Sequence, residues 1–480
     1  MSLKKQTFSA IIWTFLDTVF TKGITLFASV VLARTLGPED FGIIGMITIF
    51  IAIGTTLTDS GLASSLIRSQ EADEKDYSTV FFTNVGISLV IYLILFLSAP
   101  FIAKFYNQEI LVSVVRVYGL SFVVSALSAV QLAIHTKNMQ FKKLMRYSLP
   151  ANIIGVATGI FMANKGFGVW SIIGMYLTTQ IINSILLWIF SDWKPHLYFS
   201  KAKLKKHFDF GNKLMLSSLL NTFFDNIYSV LIGKFFSVRQ LGFYDRAKVF
   251  NNYPVTILTT IISKVTYPLL SNIQEEKERI ARTYKQILQF TFFITAPLMI
   301  GLAAASEPLV ELLLGKEWLT SAFFFKILCF SSMLYPIHAF NINILKVYGR
   351  SDLFLKLEII KKVIIVLGVI VSFSFGIYAL LWASVVTSFV ALLINTYYSS
   401  DMIHYKTFHQ LRDMLPTLVY ALLSGITIAA VIHFLDDYSI LLKLFLAALT
   451  GIIVYFVLNK LFSNPPYIYT EQLLKNRFSR

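Results

Sequence analysis

Ionisable side chains interrupt several apolar stretches of this sequence, and a charge in such a stretch is costly unless it faces water or a partner. In the first stretch Asp17 and Lys22 stand among threonines, and in a later one Asn221 and Asp225 are about one helical turn apart. Asp59 ends the second stretch. Because carboxylates at membrane depth serve proton and ion pathways, Asp17, Asp59 and Asp225 are our candidates for ion coupling. The alternative interpretation is that Asp17 and Asp225 are structural partners of neighbouring helices.

A second group of candidates carries positive charge or an amide. Arg246 and Lys264 are about five helical turns apart, so they share one face of a helix at a separation of roughly 27 Å. Cations on a low-dielectric wall attract an anionic substrate, such as a pyrophosphate or an acidic sugar. The alternative interpretation is that Asp245 and Lys248 pair at the membrane surface as residues i and i+3. The candidate substrate contacts are Lys22, Arg246, Lys248, Lys264, Asn221 and Asn252.

The elements that carry these residues are predicted to be transmembrane helices. Of the 480 residues, 56% are hydrophobic and only 14% are charged, whereas soluble domains are about one quarter charged. The apolar runs are continuous, unlike barrel strands, and they reach the ~20 residues that a spanning helix needs. We predict an all-α membrane protein with about fourteen spans. They lie near residues 8–33, 42–67, 78–103, 110–135, 147–164, 169–190, 209–233, 243–269, 286–314, 322–345, 355–374, 377–398, 415–435 and 440–461.

The net charge of +16 is explained by membrane topology, so no nucleic-acid partner is expected. Lysine and arginine concentrate in every second connection between predicted spans, for example at 137–146, 194–206 and 277–285. Such residues accumulate on the cytoplasmic side of a membrane. Both termini are therefore predicted to be cytoplasmic, and the basic residues also favour contact with membrane lipids.

The sequence lacks the signatures of enzymes and metal sites. It contains no GxxxxGK[ST], HExxH or GxSxG motif. The single cysteine, Cys329, excludes an intramolecular disulfide and a cysteine-based metal cluster. We predict a transporter with no cofactor and no bound metal, driven by an ion gradient or by the gradient of its own substrate.

A weak internal repeat relates the two halves of the chain. Residues 32–42 align without gaps on residues 232–242, and Gly42 falls on Gly242. Each copy joins the first and second helices of a six-helix set, and an even number of helices gives both sets the same orientation. We therefore predict two pseudo-symmetric six-helix lobes followed by an addition. The predicted domains are an N-terminal lobe at 1–200, a C-terminal lobe at 201–400, and two extra helices with a cytoplasmic tail at 401–480.

The segment LARTLGPEDFGIIGM at 32–46, followed by DSGLASSLI at 59–67, resembles the first helix pair of the polysaccharide transporter family. This family, of the Wzx type, belongs to the multidrug/oligosaccharidyl-lipid/polysaccharide (MOP) exporter superfamily. The resemblance is strong over residues 5–200 and looser through the twelfth span. It is greatest to exporters of O-antigen, colanic acid and teichuronic acid.

The resemblance implies a flippase of the bacterial inner membrane. Such a protein moves an oligosaccharide on an undecaprenyl pyrophosphate carrier from the cytoplasmic to the periplasmic leaflet, by alternating access of two lobes. It would serve lipopolysaccharide or capsule synthesis, with H⁺ or Na⁺ as coupling ion. Glycan polymerase and assembly proteins are the implied protein partners. The first, second, seventh and eighth predicted spans would line the lumen.

Three other functions are compatible with the sequence. A drug or cation antiporter of the same fold would need an anionic cavity, which the cations at 22, 246 and 248 disfavour. A flippase of the lipid-linked peptidoglycan precursor would share the same carrier. A non-transporting scaffold in a glycan-assembly complex would leave the charges within the spans unexplained, since each costs a few kcal/mol near the bilayer centre.

Overall fold

The computed structural model describes residues 3–59 and 61–478, in which α-helices joined by short turns form the fold and no β-strand occurs. Side chains are described except at 3–11, 210, 213, 214, 261, 264, 265, 267, 268, 351, 473, 474 and 476–478. The helices are α1 (Leu3–Thr35), α2 (Pro38–Asp59), α3 (Leu62–Arg68), α4 (Glu74–Tyr106), α5 (Ile110–Lys137), α6 (Phe141–Asn164), α7 (Val169–Phe190), α8 (Lys201–Phe235), α9 (Val238–Ser271), α10 (Lys277–Ala304), α11 (Ser306–Leu314), α12 (Leu319–Ser332), α13 (Tyr335–Val347), α14 (Ser351–Phe373), α15 (Ile377–Ile403), α16 (Thr407–Phe434), α17 (Ile440–Leu461) and α18 (Pro465–Phe478).

The predicted fold class, an all-α multi-pass membrane protein, is confirmed. Ten helical stretches in the described part of the chain are long and apolar enough to cross a membrane. Every predicted span coincides with a helix or a pair of helices. The number fourteen stays a prediction, because α6, α8, α9 and α14 are more charged or less apolar than those ten stretches.

Three of the predicted spans each contain a break between two helices. The span at 42–67 is interrupted between α2 and α3, where Gly61 has a left-handed backbone with φ 66°. A Cβ atom on Gly61 would lie 2.6 Å from the carbonyl oxygen of Gly211 in α8, so this turn requires glycine. The span at 286–314 is interrupted at Ala305. The span at 322–345 is interrupted before α13, which has a proline in its first turn, at Pro336.

The chain folds as two compact units, Met1–Gly242 (unit 1) and Phe243–Arg480 (unit 2). Unit 1 contains α1 to α8 and the first turn of α9. It extends beyond residue 200, where the predicted N-terminal lobe ends, because α8 packs against α2, α3 and α4. In unit 2, α10 packs on α12 and α16, and α16 packs on α17.

Small residues let α6 and α7 pack closely in unit 1. Ala151, Gly155, Gly159 and Ala163 recur every fourth residue along α6 and are buried. A Cβ atom on Gly155 would lie 1.9 Å from Oγ1 of Thr179 in α7. In a membrane, where burial of apolar surface gives helices little reason to associate, such close packing supplies much of the stabilisation.

The predicted repeat has a structural counterpart where α2 and α9 begin. A Cβ atom on Gly42 would lie 2.0 Å from the carbonyl oxygen of Val238, and one on Gly242 would lie 1.8 Å from that of Pro38. Pro38 and Val238 are equivalent positions at the offset of 200 residues. Gly42 therefore contacts the residue four positions before Gly242, and Gly242 contacts the residue four positions before Gly42.

A buried polar cluster joins α3, α4 and α8 of unit 1. His207 of α8 is fully buried, with Nδ1 2.8 Å from Oγ of Ser65 and Nε2 3.1 Å from Oδ1 of Asp76. Nζ of Lys203 lies 2.7 Å from Oδ2 of Asp76. Although serine, histidine and aspartate are hydrogen-bonded in series here, all three are buried, so the cluster connects helices and offers no accessible nucleophile. The hydrogen bond to Asp76 raises the pKa of Lys203.

The replacement Gly155→Leu is expected to lower stability by about 1–3 kcal/mol, because the added side chain overlaps α7. The thermal unfolding of detergent-purified protein measures the effect. Gly86→Leu is the matched control, since Gly86 lies in the middle of α4 with no atom within 4 Å of an added Cβ. Equal melting temperatures for the two variants would contradict the close α6–α7 contact.

The replacement Asp76→Asn is expected to cost about 3–5 kcal/mol, because it removes the buried charge that holds Lys203 and His207. Asp352→Asn, which breaks the exposed pair with Arg350, is expected to destabilise the protein much less, because water and salt screen exposed charges. Thermal unfolding at several pH values measures both. The contribution of the Lys203–Asp76 pair is present at neutral pH. It is lost at alkaline pH as Lys203, whose pKa is raised, deprotonates, and in strong acid as Asp76 protonates. An Asp76→Asn variant that is as stable as the wild type at neutral pH would contradict this assignment.

Candidate functional site

A cavity of about 660 Å³ lies within unit 1, between α2, α5, α7 and α8, with α3 at one end. Its volume is in the range of small-molecule binding sites. Most of its polar lining is uncharged. The polar lining residues are Thr55, Thr56, Thr58, Asp59, Ser64, Ser125, Ser128, Thr136, Gln180, Asn183 and Ser218.

The hydroxyl groups of the cavity wall are tied to the helices that carry them. Oγ1 of Thr55 donates a hydrogen bond to the carbonyl oxygen of Ile51 at 2.6 Å, and Oγ1 of Thr136 donates to that of Leu132 at 2.8 Å. A hydroxyl that donates its proton to the backbone keeps lone pairs that can accept hydrogen bonds. These threonines therefore present acceptors at fixed positions.

Other polar groups of the wall have no partner among the described residues. Oε1 of Gln180 is buried without a hydrogen bond, and Asn183 follows about one turn later on α7. The side chains of Ser125 and Ser218 likewise make no hydrogen bond within the described part of the chain. Amides and free hydroxyls both donate and accept. The cavity therefore retains hydrogen-bonding capacity for a polar, uncharged ligand.

Asp59 is the one carboxylate among the described lining residues, and no lysine or arginine accompanies it there. Its side chain is exposed to the cavity and forms no ion pair with a described residue. It is also the last residue of α2. Because the C-terminal end of a helix carries partial negative charge, this position favours a cation beside the carboxylate.

The two candidates on α1 lie outside this cavity. Asp17 accepts a hydrogen bond from the hydroxyl of Ser148 on α6, so its carboxylate connects two helices. Lys22 is exposed. Of the helices expected to line a lumen, α2 and α8 contribute to the cavity, whereas no described residue of α1 does.

The candidates on α8 are placed next to the cavity rather than in it. Asn221 and Asp225 are exposed on α8. Between them, Oγ1 of Thr222 lies 3.4 Å from Oγ1 of Thr56, a cavity residue. Ser218, one turn before Asn221, lines the cavity itself.

The remaining candidates belong to α9 in unit 2. Arg246 is 9% exposed, and its Nη2 lies 2.6 Å from Oδ2 of its neighbour Asp245. Lys248 is half-buried and Asn252 is exposed. The side chain of Lys264 lies outside the described residues, so the shared face proposed for it and Arg246 stays a prediction. The roles of all nine candidate residues stay predictions as well.

Sequence reasoning missed the polar residues of α5 and α7. Ser125 and Ser128 on α5, and Gln180 and Asn183 on α7, are spaced three apart and so share a helix face. The same spacing argument that selected Asn221 and Asp225 would have found them. Uncharged polar groups attract less attention in an apolar helix because they are less costly there than charges.

Comparisons with known proteins agree with this picture. A family described as "Polysaccharide biosynthesis protein" matches residues 31–323. The lipopolysaccharide biosynthesis protein WzxC of Escherichia coli K12 is 25% identical over 374 residues, which cover 77% of this chain and 76% of that protein. The teichuronic acid biosynthesis protein TuaB of Bacillus subtilis is 24% identical over 361 residues, covering 73% of each.

Solved structures share the fold. The lipid II flippase MurJ, in an inward closed conformation, superposes with a TM-score of 0.74 at 18% identity, covering 94% of this chain and 98% of that one. An inward-facing MATE family multidrug transporter of the MOP superfamily has a TM-score of 0.60 at 17% identity, covering 82% and 98%. The multi-pass helical fold of these proteins agrees with the predicted fold class. Since the family match spans more than half of the sequence, the chain belongs to the polysaccharide biosynthesis protein family.

Proposed function

We propose that this protein is a flippase that moves a lipid-linked oligosaccharide from the cytoplasmic to the periplasmic leaflet of a bacterial inner membrane. Family membership supports the class of function. The observation that carries the proposal is the unit 1 cavity, whose hydrogen-bonding groups are nearly all uncharged.

The cavity suits the sugar part of such a substrate. Each sugar hydroxyl both donates and accepts, and it can pair with the fixed acceptors of the threonines and with the free amides of Gln180 and Asn183. The pyrophosphate part does not suit it, since Asp59 would repel a second anion. We assign the pyrophosphate to the cationic candidates Lys22, Arg246, Lys248 and Lys264.

Asp59 is our first choice among the three carboxylates for ion coupling. It faces the cavity without an ion-pair partner among the described residues, whereas Asp17 already accepts a hydrogen bond from Ser148. A carboxylate that is exposed to the transport cavity can exchange H⁺ or Na⁺ together with the substrate. The proposal is compatible with either H⁺ or Na⁺ as the coupling ion.

The proposed orientation places both termini and the basic connections in the cytoplasm. The concentration of lysine and arginine in alternate connections supports it. Contacts with glycan polymerase and assembly proteins belong to the same proposal, because a flippase delivers substrate to them.

One observation favours a second candidate, a multidrug or cation antiporter. A cavity with a single carboxylate and no lysine or arginine among its described lining residues is what a cationic substrate requires. Family membership favours the flippase. The two candidates differ in the substrate that accumulates when the protein is absent.

Cells that lack the protein are expected to accumulate undecaprenyl-linked oligosaccharide in the cytoplasmic leaflet, and the wild-type gene is expected to relieve this. Replacing both cavity amides, by Gln180→Leu and Asn183→Leu, is expected to slow transport on the order of 10-fold, since two hydrogen bonds are lost. Leaflet-resolved quantification of the lipid-linked glycan measures both. Asn164→Leu, at an exposed amide outside the cavity, is the control. Unchanged glycan distribution on deletion, with altered efflux of cationic dyes, would instead favour the antiporter.

The replacement Asp59→Asn is expected to abolish the dependence of transport on the ion gradient, because an amide cannot exchange a proton or balance a sodium ion. Transport of the lipid-linked glycan in proteoliposomes, with and without an imposed H⁺ or Na⁺ gradient, measures it. Asp192→Asn, at an exposed carboxylate in the connection between α7 and α8, should retain full gradient dependence. If Asp59→Asn retains it too, coupling resides elsewhere.

A further inference from the structure

A second pocket, of about 230 Å³, lies in unit 2 between α10 and α18. One wall is a face of α10 that carries four polar residues. The second, third and fourth follow the first by three, four and seven positions, so all four share this face. The opposite wall is the beginning of α18. The residues of the pocket that bear on the argument are Arg282, Lys285, Gln286, Gln289, Pro466 and Tyr469.

The positive charge of this pocket is only partly neutralised. Nζ of Lys285 lies 2.8 Å from Oδ2 of Asp413, a carboxylate that also accepts a hydrogen bond from the hydroxyl of Tyr405. Arg282 forms no ion pair with any described residue. Its neighbour Arg279, one turn earlier, is paired with Glu276 at 2.9 Å. Arg282 is therefore the cation that can bind an anion here.

A buried amide also lines the pocket. The side chain of Gln289 is only 7% exposed and makes no hydrogen bond to a described residue. Although the residue is buried, its amide atoms are accessible from the pocket and can bond to a ligand. An oxygen atom of a bound ligand would supply the partner, in line with the guanidinium of Arg282, which binds phosphate through paired N–H groups.

The position of the pocket along α10 favours a lipid as the source of that oxygen. Charged residues occupy the first turns of α10, and from Phe290 to Ala304 the helix carries no charge. The pocket lies where the two parts meet, with Phe290 and Tyr469 beside the polar groups. Tyrosine is enriched at this level of a membrane. A phospholipid places its phosphate against the cations and its acyl chains along the apolar part.

We propose that this pocket binds the phosphate headgroup of an anionic phospholipid. Arg282 and Lys285 contact the phosphate oxygens, Gln289 donates to an ester or phosphate oxygen, and the first turn of α18 closes the site. The proposal is independent of the transported substrate. The proposal gives a binding role to α18. This helix is not among the ten described stretches that are long and apolar enough to cross a membrane.

The test uses the full-length protein in detergent, titrated with dioleoylphosphatidylglycerol, with dioleoylphosphatidylcholine or with inorganic phosphate, and bound lipid is counted by native mass spectrometry. We expect phosphatidylglycerol to bind more tightly than phosphatidylcholine. Arg282→Gln and Gln289→Leu are each expected to weaken phosphatidylglycerol about 10-fold, as loss of a charge-assisted or buried hydrogen bond implies. Arg279→Gln removes the same charge from the same helix outside the pocket and should bind like the wild type.

Three results would overturn the proposal. Equal weakening by Arg279→Gln and Arg282→Gln would indicate a diffuse attraction between charges. Equal affinity for the two lipids would exclude selection for an anionic headgroup. Displacement of phosphatidylglycerol by inorganic phosphate at a similar concentration would assign the pocket to a soluble phosphate ester. Circular dichroism of each variant confirms that the helices are intact.

Discussion

The absence of water from the hydrocarbon core governs the polar contacts within the apolar helices of this protein. A polar group there must find its partner within the protein, which is why the described chain is helical throughout its apolar stretches. The same constraint acts on side chains. Thr55 and Thr136 donate to carbonyl oxygens of their own helices, and Asp17 accepts from Ser148 on the neighbouring helix. A buried polar group left without such a partner, as at Oε1 of Gln180 in unit 1, marks a place where a ligand can bind.

The distribution of charge separates two tasks in the proposed transport cycle. Among its described polar lining residues the unit 1 cavity holds one carboxylate together with hydroxyls and amides, a surface that would suit the uncharged glycan of the proposed substrate without strong electrostatic attraction. Arg246 is held beside Asp245, so its charge is positioned before any substrate arrives. A substrate that joins a sugar to a pyrophosphate needs both kinds of surface. Fixed hydrogen bonds within the helices keep each surface in a defined geometry.

The helices could be predicted from the sequence because their signal is local, whereas their interruptions could not. Long apolar runs specify spans by length alone, and each predicted span corresponds to helix in the structure. The break at Gly61 depends on the approach of Gly211, which is distant in sequence.

The candidate site shows the same division between local and long-range signals. Asp59 was found because a charge stands out in an apolar stretch, but the amides of α7 required knowledge of which helices surround the cavity. Likewise, His207 becomes a buried partner of Asp76 only through the packing of α8 on α4.

The reciprocal contact of Gly42 and Gly242 has a consequence for the origin of the chain. Each glycine contacts the residue four positions before the other glycine, so the two segments meet through the same surface on both sides. A contact of this type is isologous, the kind that joins two identical subunits across a two-fold axis. A protein with a single copy of the repeat would already possess the surface for pairing with itself. Gene duplication and fusion would then preserve an existing dimer contact within one chain. The two halves could afterwards diverge in sequence, and the first half could acquire its largely uncharged cavity.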